Sequence, residues 1–179
     1  MESYETNDFV AEKAYEVDEK TKKEIIKFID DNYTYTGELE IKIGVSMDYE
    51  NACSVSAPKS GFITVKNKNI KHLTNGKFYW QNIRSNFDCS GCKKLEDLNG
   101  APQIVPGNFN CSDCVKLEEL QGGPELVKGN YDCSGCKSLI STLGPKRIEG
   151  NFIIKGCDFP KFPKDLIPSF TQVMGKIID

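Results

Sequence analysis

Residues 86–102 read Asn86-Phe87-Asp88-Cys89-Ser90-Gly91-Cys92, then Leu95, Leu98 and the turn Gly100-Ala101-Pro102. The same phrase returns after 22 residues as Asn108-Phe109-Asn110-Cys111-Ser112-Asp113-Cys114. It returns again as Asn130-Tyr131-Asp132-Cys133-Ser134-Gly135-Cys136. Leu95 and Leu98 recur as Leu117 and Leu120, then as Leu139 and, one position late, Leu143. Gly122-Gly123-Pro124 closes the second unit, and Gly144-Pro145 closes the third one residue early. Self-similarity at this period marks a solenoid: a single coil cannot bury its apolar face, and stacking on its neighbours does so.

The period runs past the cysteines in both directions. One step back from Phe87, Cys92 and Leu95 lie Val65, Ile70 and Leu73; a further step reaches Ile43, with Ile41 beneath Ile63. Forward, the one-residue deletion sets Phe152 under Tyr131, Ile154 under Cys133 and Cys157 under Cys136. We therefore expect about five coils, 41–62 the least regular and 148–164 the last. Phe87 and Cys89 alternate with Asn86, Asp88 and Ser90, the period of two of a short strand with one buried face. Stacked strands about 4.8 Å apart then build a parallel sheet along the rod. The expected fold class is a β-rich, right-handed solenoid. Its predicted parts are an acidic arm over 1–17, a cap over 18–40, the repeats over 41–164 and a second cap over 165–179. Ile25, Phe28, Ile29 and Tyr33 form one stripe, which predicts a cap helix over 18–33.

Composition agrees with a folded domain: 179 residues, 39% apolar and 27% charged, are too apolar for a disordered chain. The N-terminus is acidic and lacks the apolar core of a secretory signal. No run approaches the roughly 18 apolar residues of a membrane helix. A cytoplasmic location is the expectation. Residues 1–50 hold 14 Asp/Glu against 6 Lys/Arg, a balance of −8, whereas 51–179 hold 12 against 17, a balance of +5. An acidic front on a mildly basic body suggests two structural parts. So small and scattered a basic excess argues against nucleic acid as a partner.

The eight cysteines admit three readings. Cys89/Cys92, Cys111/Cys114 and Cys133/Cys136 have the C-x2-C spacing of four-thiolate zinc sites. Against zinc, three equal pairs do not divide into fours. The matching slots of neighbouring coils also hold Asn67/Ile70 and Ile154/Cys157. The favoured reading is a ladder of buried free thiols, small apolar side chains with a weak S–H donor. Disulfides come third, since reducing compartments disfavour them. Cys53 lies off the ladder, either a reactive thiol or a buried one.

The unit N-F-D-C-S-x-C-x-x-L-x-x-L-x-G-A-P resembles the irregular leucine-rich repeats of tailed-bacteriophage and some bacterial proteins, over roughly residues 63–157. In that resemblance Phe87 and Cys89 take strand leucine positions and Cys92 the Asn/Cys position. It implies a leucine-rich-repeat-like scaffold that binds proteins, a phage or bacterial origin, and host cytoplasm as the place of action.

Enzyme motifs are missing from the sequence. His72 is the single histidine, and the 22-residue step aligns it with Lys94 and Lys116, which predicts a surface residue rather than a base. Glu96-Asp97 and Glu118-Glu119 recur in register and read as a solvated face. Lys66, Lys68, Lys71, Lys77, Lys93, Lys94, Lys116 and Lys137 read as a solubilising strip, because no stacking aromatics interleave with them. Two candidate binding surfaces remain. One is the outward strand row Asn86/Asp88/Ser90, Asn108/Asn110/Ser112 and Asn130/Asp132/Ser134: a rigid binding face, or short polar residues suited to strand edges and turns. A calcium ladder through Asp88, Asn110 and Asp132 has too few carboxylates per coil. The other is Phe78-Tyr79-Trp80, placed where later coils have Gly-Ala-Pro, either packed under the N-terminal helix or exposed as an interface anchor. The expectation is a non-catalytic protein-interaction module without cofactor. The alternative is a zinc-binding structural or nucleic-acid-associated protein built on Cys89, Cys92, Cys111, Cys114, Cys133 and Cys136.

Overall fold

An aromatic flanked by Asn and Asp can satisfy a strand with one inward side chain, and the chain uses that unit as a rung. The structure, a computed structural model, describes residues 17–43, 52–158 and 171–179. The acidic arm, but for Val17, and the Phe159–Pro163 stretch lie outside the described residues. The first element is helix α1 (Glu19–Asn32). It leads into β1 (Tyr33–Tyr35), β2 (Glu40–Ile43), β3 (Cys53–Ala57), β4 (Phe62–Val65) and β5 (Phe78–Ile83). The rungs follow in pairs: β6 (Asn86–Asp88) and β7 (Ile104–Val105), β8 (Phe109–Asn110) and β9 (Leu126–Val127), β10 (Tyr131–Asp132) and β11 (Arg147–Ile148). The last are β12 (Phe152–Ile153), β13 (Gln172–Val173) and β14 (Ile177–Ile178).

These strands make a β-solenoid of about five turns. One wall is a seven-stranded sheet, β1-β4-β6-β8-β10-β12-β14, parallel from β4 onward. The second wall is the parallel sheet β13-β11-β9-β7. A three-stranded sheet, β2-β3-β5, lies at the N-terminal end. Phe87 pairs with Phe109, Phe109 with Tyr131, and Tyr131 with Phe152, so the deletion at Gly144-Pro145 shifts the register as the repeat predicts.

Each coil turns at its Cys-Ser-Gly-Cys corner. Gly91, Gly135 and Gly156 there take φ of 67°, 69° and 73°, and Asp113 alone bears a side chain at the equivalent place, with φ 57°. Asp is among the few residues that enter the left-handed region readily. Phe87, Cys89, Cys92, Leu95 and Leu98 are all fully buried, as are Phe109, Cys111, Cys114, Leu117 and Leu120. The rings of Phe87 and Phe109 stack 5.8 Å apart at 11°, and Phe109–Tyr131 and Tyr131–Phe152 continue the column at 4.8 and 5.6 Å.

The ends depart from the simple period. Ile63, not Val65, pairs with Phe87, because the first coil is two residues longer than the 22-residue repeat. Ile41 and Ile43 do not sit beneath it. They belong to β2, which runs antiparallel to β3 in another sheet. The place below β4 is taken by β1, antiparallel, with Tyr35 beside Ile63 and Tyr33 beside Val65. At the other end, the segment read as a cap supplies two more rungs, β13 and β14. Leu143 is not the third-unit counterpart of Leu120: it is 41% exposed, and Thr142, in strict 22-residue register, is buried instead. The cap helix forms as its stripe predicts. Asp18 accepts the Thr21 N–H at 2.9 Å as N-cap, and Ile25 and Ile29 are fully buried. Among the described residues no helix is long and apolar enough to cross a membrane.

Candidate functional site

The polar strand row is engaged by the backbone. Asn86 Oδ1 accepts the Asn108 N–H at 2.8 Å, Asn108 Oδ1 that of Asn130, and Asn130 Oδ1 that of Asn151, each at 2.8 Å. Asn151 Oδ1 accepts from Lys176 at 2.9 Å, so one asparagine per coil binds each turn to the next. The following polar position closes an Asx turn within its own coil. Asp88, Asn110 and Asp132 accept the N–H of Ser90, Ser112 and Ser134 at 2.8, 2.9 and 2.9 Å. Of the two readings open for Asn86, Asp88, Asn108, Asn110, Asn130 and Asp132, the structural one holds for the bonded oxygen of each. What this row offers a partner is its remaining amide and carboxylate edge.

The thiols form columns. Cys114 Sγ–H donates to the Cys89 carbonyl, Cys136 to Cys111 and Cys157 to Cys133, each at 3.2 Å. All eight cysteines are free. Burial raises the Cys111 and Cys133 thiol pKa values well above the ordinary one and brings Cys92 up to about 12. Cys89 is raised chiefly by its hydrogen bond with Cys114. Zinc needs thiolates converging on one point. Here the sulfurs are spread along the rod and aimed at carbonyls, and among the described residues no three His, Cys, Asp or Glu side chains converge as a metal site would require. Cys53 lies in β3, buried, with its pKa raised by that burial.

Phe78, Tyr79 and Trp80 are not an exposed anchor. Trp80 is 1% exposed and Phe78 equally buried. Phe78 meets Phe28 of α1 edge-on at 5.9 Å, and Trp80 meets Tyr33 at 5.3 Å. The Trp80 N–H donates to the Gly100 carbonyl at 2.8 Å, which sets the aromatic segment beside the Gly-Ala-Pro turn, where the repeat alignment puts it. Phe78 and Trp80 are buried against Phe28 of α1 and Tyr33 of β1, which cover the end of the solenoid.

What the segment does build is the floor of a groove. An open depression of about 530 Å³ runs between β5 and β7, lined by Tyr79, Trp80, Gln81, Asn82, Ile83, Gln103, Ile104 and Pro106. Ile104 stands at its rim, 52% exposed. Along the same wall the outward row continues through Leu126, Arg147 and Gln172. This groove was not singled out in the sequence. The signal for it is a second recurrent phrase, Ile104-Val105-Pro106-Gly107-Asn108 against Leu126-Val127-Lys128-Gly129-Asn130.

The remaining candidates are surface features. His72 is exposed, with Nδ1 2.9 Å from Asp97 Oδ2. Glu96, Asp97, Asn99, Glu118, Glu119 and Gln121 line a shallow open depression, the solvated face expected of them. In the lysine strip, Lys71 faces Glu96, Lys137 faces Asp158 and Lys77 faces Glu24. With three of its eight lysines paired to carboxylates, the strip is a weaker phosphate track than its sequence suggests.

The fold places the chain among β-solenoids, a class defined by its stacked parallel rungs. No protein-family model, no curated protein and no solved structure matches the chain.

Proposed function

We propose that the protein is a non-catalytic protein-interaction module whose binding surface is the wall carrying Ile104, Leu126, Arg147 and Gln172 and the groove beside it. The observation that carries this reading is the groove, where a half-exposed isoleucine, the edges of buried aromatics and three carboxamides (Gln81, Asn82, Gln103) share one rigid surface. Such a surface accepts an apolar side chain and holds the neighbouring backbone through amides. Stacked rungs keep its geometry in the free protein, so binding costs little ordering entropy. The resemblance to phage and bacterial leucine-rich repeats supports a more specific form: a phage-encoded protein acting in host cytoplasm on a defence or regulatory protein.

The test is capture with the full chain and with its Ile104→Glu variant as parallel baits in host extract. We expect at least one protein that the native bait retains and the variant loses by about tenfold or more. Because Ile104 is half in solvent, the variant should keep its stability within about 0.5 kcal/mol. Equal retention by both baits rejects the groove, and no specific retention rejects the interaction reading.

A further inference from the structure

The dipeptide Asn-Gly occurs twice, as Asn75-Gly76 and Asn99-Gly100, and in both the glycine is left-handed, with φ of 78° and 87°. At such a dipeptide the asparagine carboxamide is open to attack by the next backbone nitrogen, because glycine puts no side chain in the way. The surroundings of the two sites differ. Gly76 is exposed, and a Cβ built on it meets nothing within 4 Å. Gly100 is buried: a Cβ there would lie 2.3 Å from Thr74 Cγ2 of the preceding coil, and the Gly100 carbonyl accepts the Trp80 N–H. The Asn99 carboxamide is pressed on the following coil, where a Cβ on Gly122 would lie 2.3 Å from Asn99 Oδ1.

The backbone also treats the two carboxamides differently. Asn75 Oδ1 accepts the Lys77 N–H at 3.1 Å, an Asx turn that lays the carboxamide over the Gly76 peptide. That N–H polarises the Cγ–Oδ1 bond and stands where negative charge develops on Oδ1 during attack, the role of an oxyanion donor. The Gly76 N–H donates to Thr74 Oγ1 at 3.3 Å, a bond within its own turn. At the second site the corresponding donor is taken, since the Ala101 N–H goes to the Leu98 carbonyl at 3.0 Å.

We propose that Asn75 is a site of intramolecular deamidation, converted through a succinimide into an aspartyl or isoaspartyl residue, while coil stacking protects Asn99. In the first step the Gly76 nitrogen gives its proton to hydroxide and attacks Asn75 Cγ. The new N–C bond forms, the bond from Cγ to its amide nitrogen breaks, and that nitrogen leaves as ammonia with a proton from water. In the second step a water oxygen adds to one of the two imide carbonyls. The C–N bond there breaks, and the ring nitrogen takes up a proton. Opening at one carbonyl gives the aspartyl residue; opening at the other gives the isoaspartyl residue, with one more methylene in the main chain. One water is consumed, one ammonia is released, and nothing is oxidised or reduced. The new carboxylate lies close to Lys77, whose ammonium pairs with Glu24 of α1. The added methylene enters the backbone three residues before Phe78, whose ring packs on Phe28 of α1. The seat of α1 is therefore the part of the fold that this modification reaches.

The experiment is incubation of the folded full chain at mildly alkaline pH in heavy-oxygen water, followed by tryptic mass mapping. Cleavage after Lys71 and after Lys94 puts the two sites in separate peptides. Asn75 is expected to convert at least about tenfold faster than Asn99, because the sealed turn reacts only when the coils open locally. Each event should carry one heavy oxygen, and the products should include isoaspartate. In guanidinium chloride both sites lie in open chain, and their rates should agree within about twofold. An isoform one charge more negative than the native net charge of −3 should accumulate, and in Asn75→Gln it should form at least about tenfold more slowly. Should that variant fail to fold, mapping of the native chain still gives the answer. Equal rates at the two sites of the folded chain, product without isoaspartate, or an undiminished acidic isoform in Asn75→Gln would each overturn the assignment. So would a folded-chain rate at Asn75 more than about tenfold below its own rate in guanidinium chloride, since the turn would then protect the carboxamide.

Discussion

Tyr131 is the single tyrosine in a column whose other rings are Phe87, Phe109 and Phe152, and its hydroxyl explains a second departure from the repeat. The second unit closes with Gly122-Gly123-Pro124, where the first has Gly100-Ala101-Pro102. A Cβ on Gly123 would stand 2.8 Å from Leu98 Cδ1 and 3.1 Å from Tyr131 Oη. The glycine thus leaves the space that the extra oxygen fills. That oxygen is buried with no hydrogen-bond partner among the described residues, and burial raises its pKa well above the ordinary phenol value. A buried polar atom without a partner costs about 1–3 kcal/mol. Tyr131→Phe keeps the ring and removes the cost, so we expect urea denaturation to show a gain of about 1 kcal/mol. A loss of stability would mean that the hydroxyl is satisfied in solution.

At the scale of the element, a rung is a Gly-Asn pair as much as it is a strand. Asn108 Oδ1 reaches across to the Asn130 N–H, and the oxygen passes directly over Gly129. A Cβ on Gly129 would lie 2.3 Å from that oxygen and 2.7 Å from the Gly107 carbonyl oxygen. Gly107, Gly150 and Gly175 meet the preceding coil in the same way. The glycine is needed for close approach, since the neighbour it would strike includes backbone that cannot swing aside. Gly129→Ala should therefore cost about 2–3 kcal/mol by overpacking. The comparison is Gly61→Ala, whose added methyl meets nothing within 4 Å and should be close to neutral in the same thermal melts.

For the whole molecule, the thiol columns couple stability to alkaline pH. Cys89, Cys92, Cys111 and Cys133 have pKa values raised above the ordinary value of 9.0, Cys92 to about 12. Below pH 9 they are protonated in both folded and unfolded chains and stability is flat in this respect. Above pH 9 the unfolded chain releases these protons while the folded chain keeps them, so stability falls. The fall continues until the folded pKa is passed, which for Cys92 is about 12. Each such thiol contributes a loss of about 1.4 kcal/mol per pH unit in that window. Denaturation curves from about pH 8 to about pH 12 should show the slope, and Cys111→Val should make it shallower. An unchanged slope in that variant would show that the thiol is not protonated by burial.

The solenoid is legible in the chain itself, because a buried column demands the same side chain at the same place in every coil. Phe87, Phe109, Tyr131 and Phe152 had to align, and a one-residue deletion at Gly144 had to shift everything after it. The cysteines were readable as a ladder on the same ground. The ends were not, because a cap is held by contacts made once. Nothing periodic foretells that β1 turns antiparallel beside Ile63, or that Thr142 rather than Leu143 points inward. The polar rows show the same division. Repetition of Asn and Asp marked them as important, but whether their oxygens face a partner or the next backbone amide depends on the distance between coils. The groove at Ile104 belongs wholly to the folded state, since it lies where β5 and β7, strands from separate stretches of chain, meet beside the buried Tyr79 and Trp80.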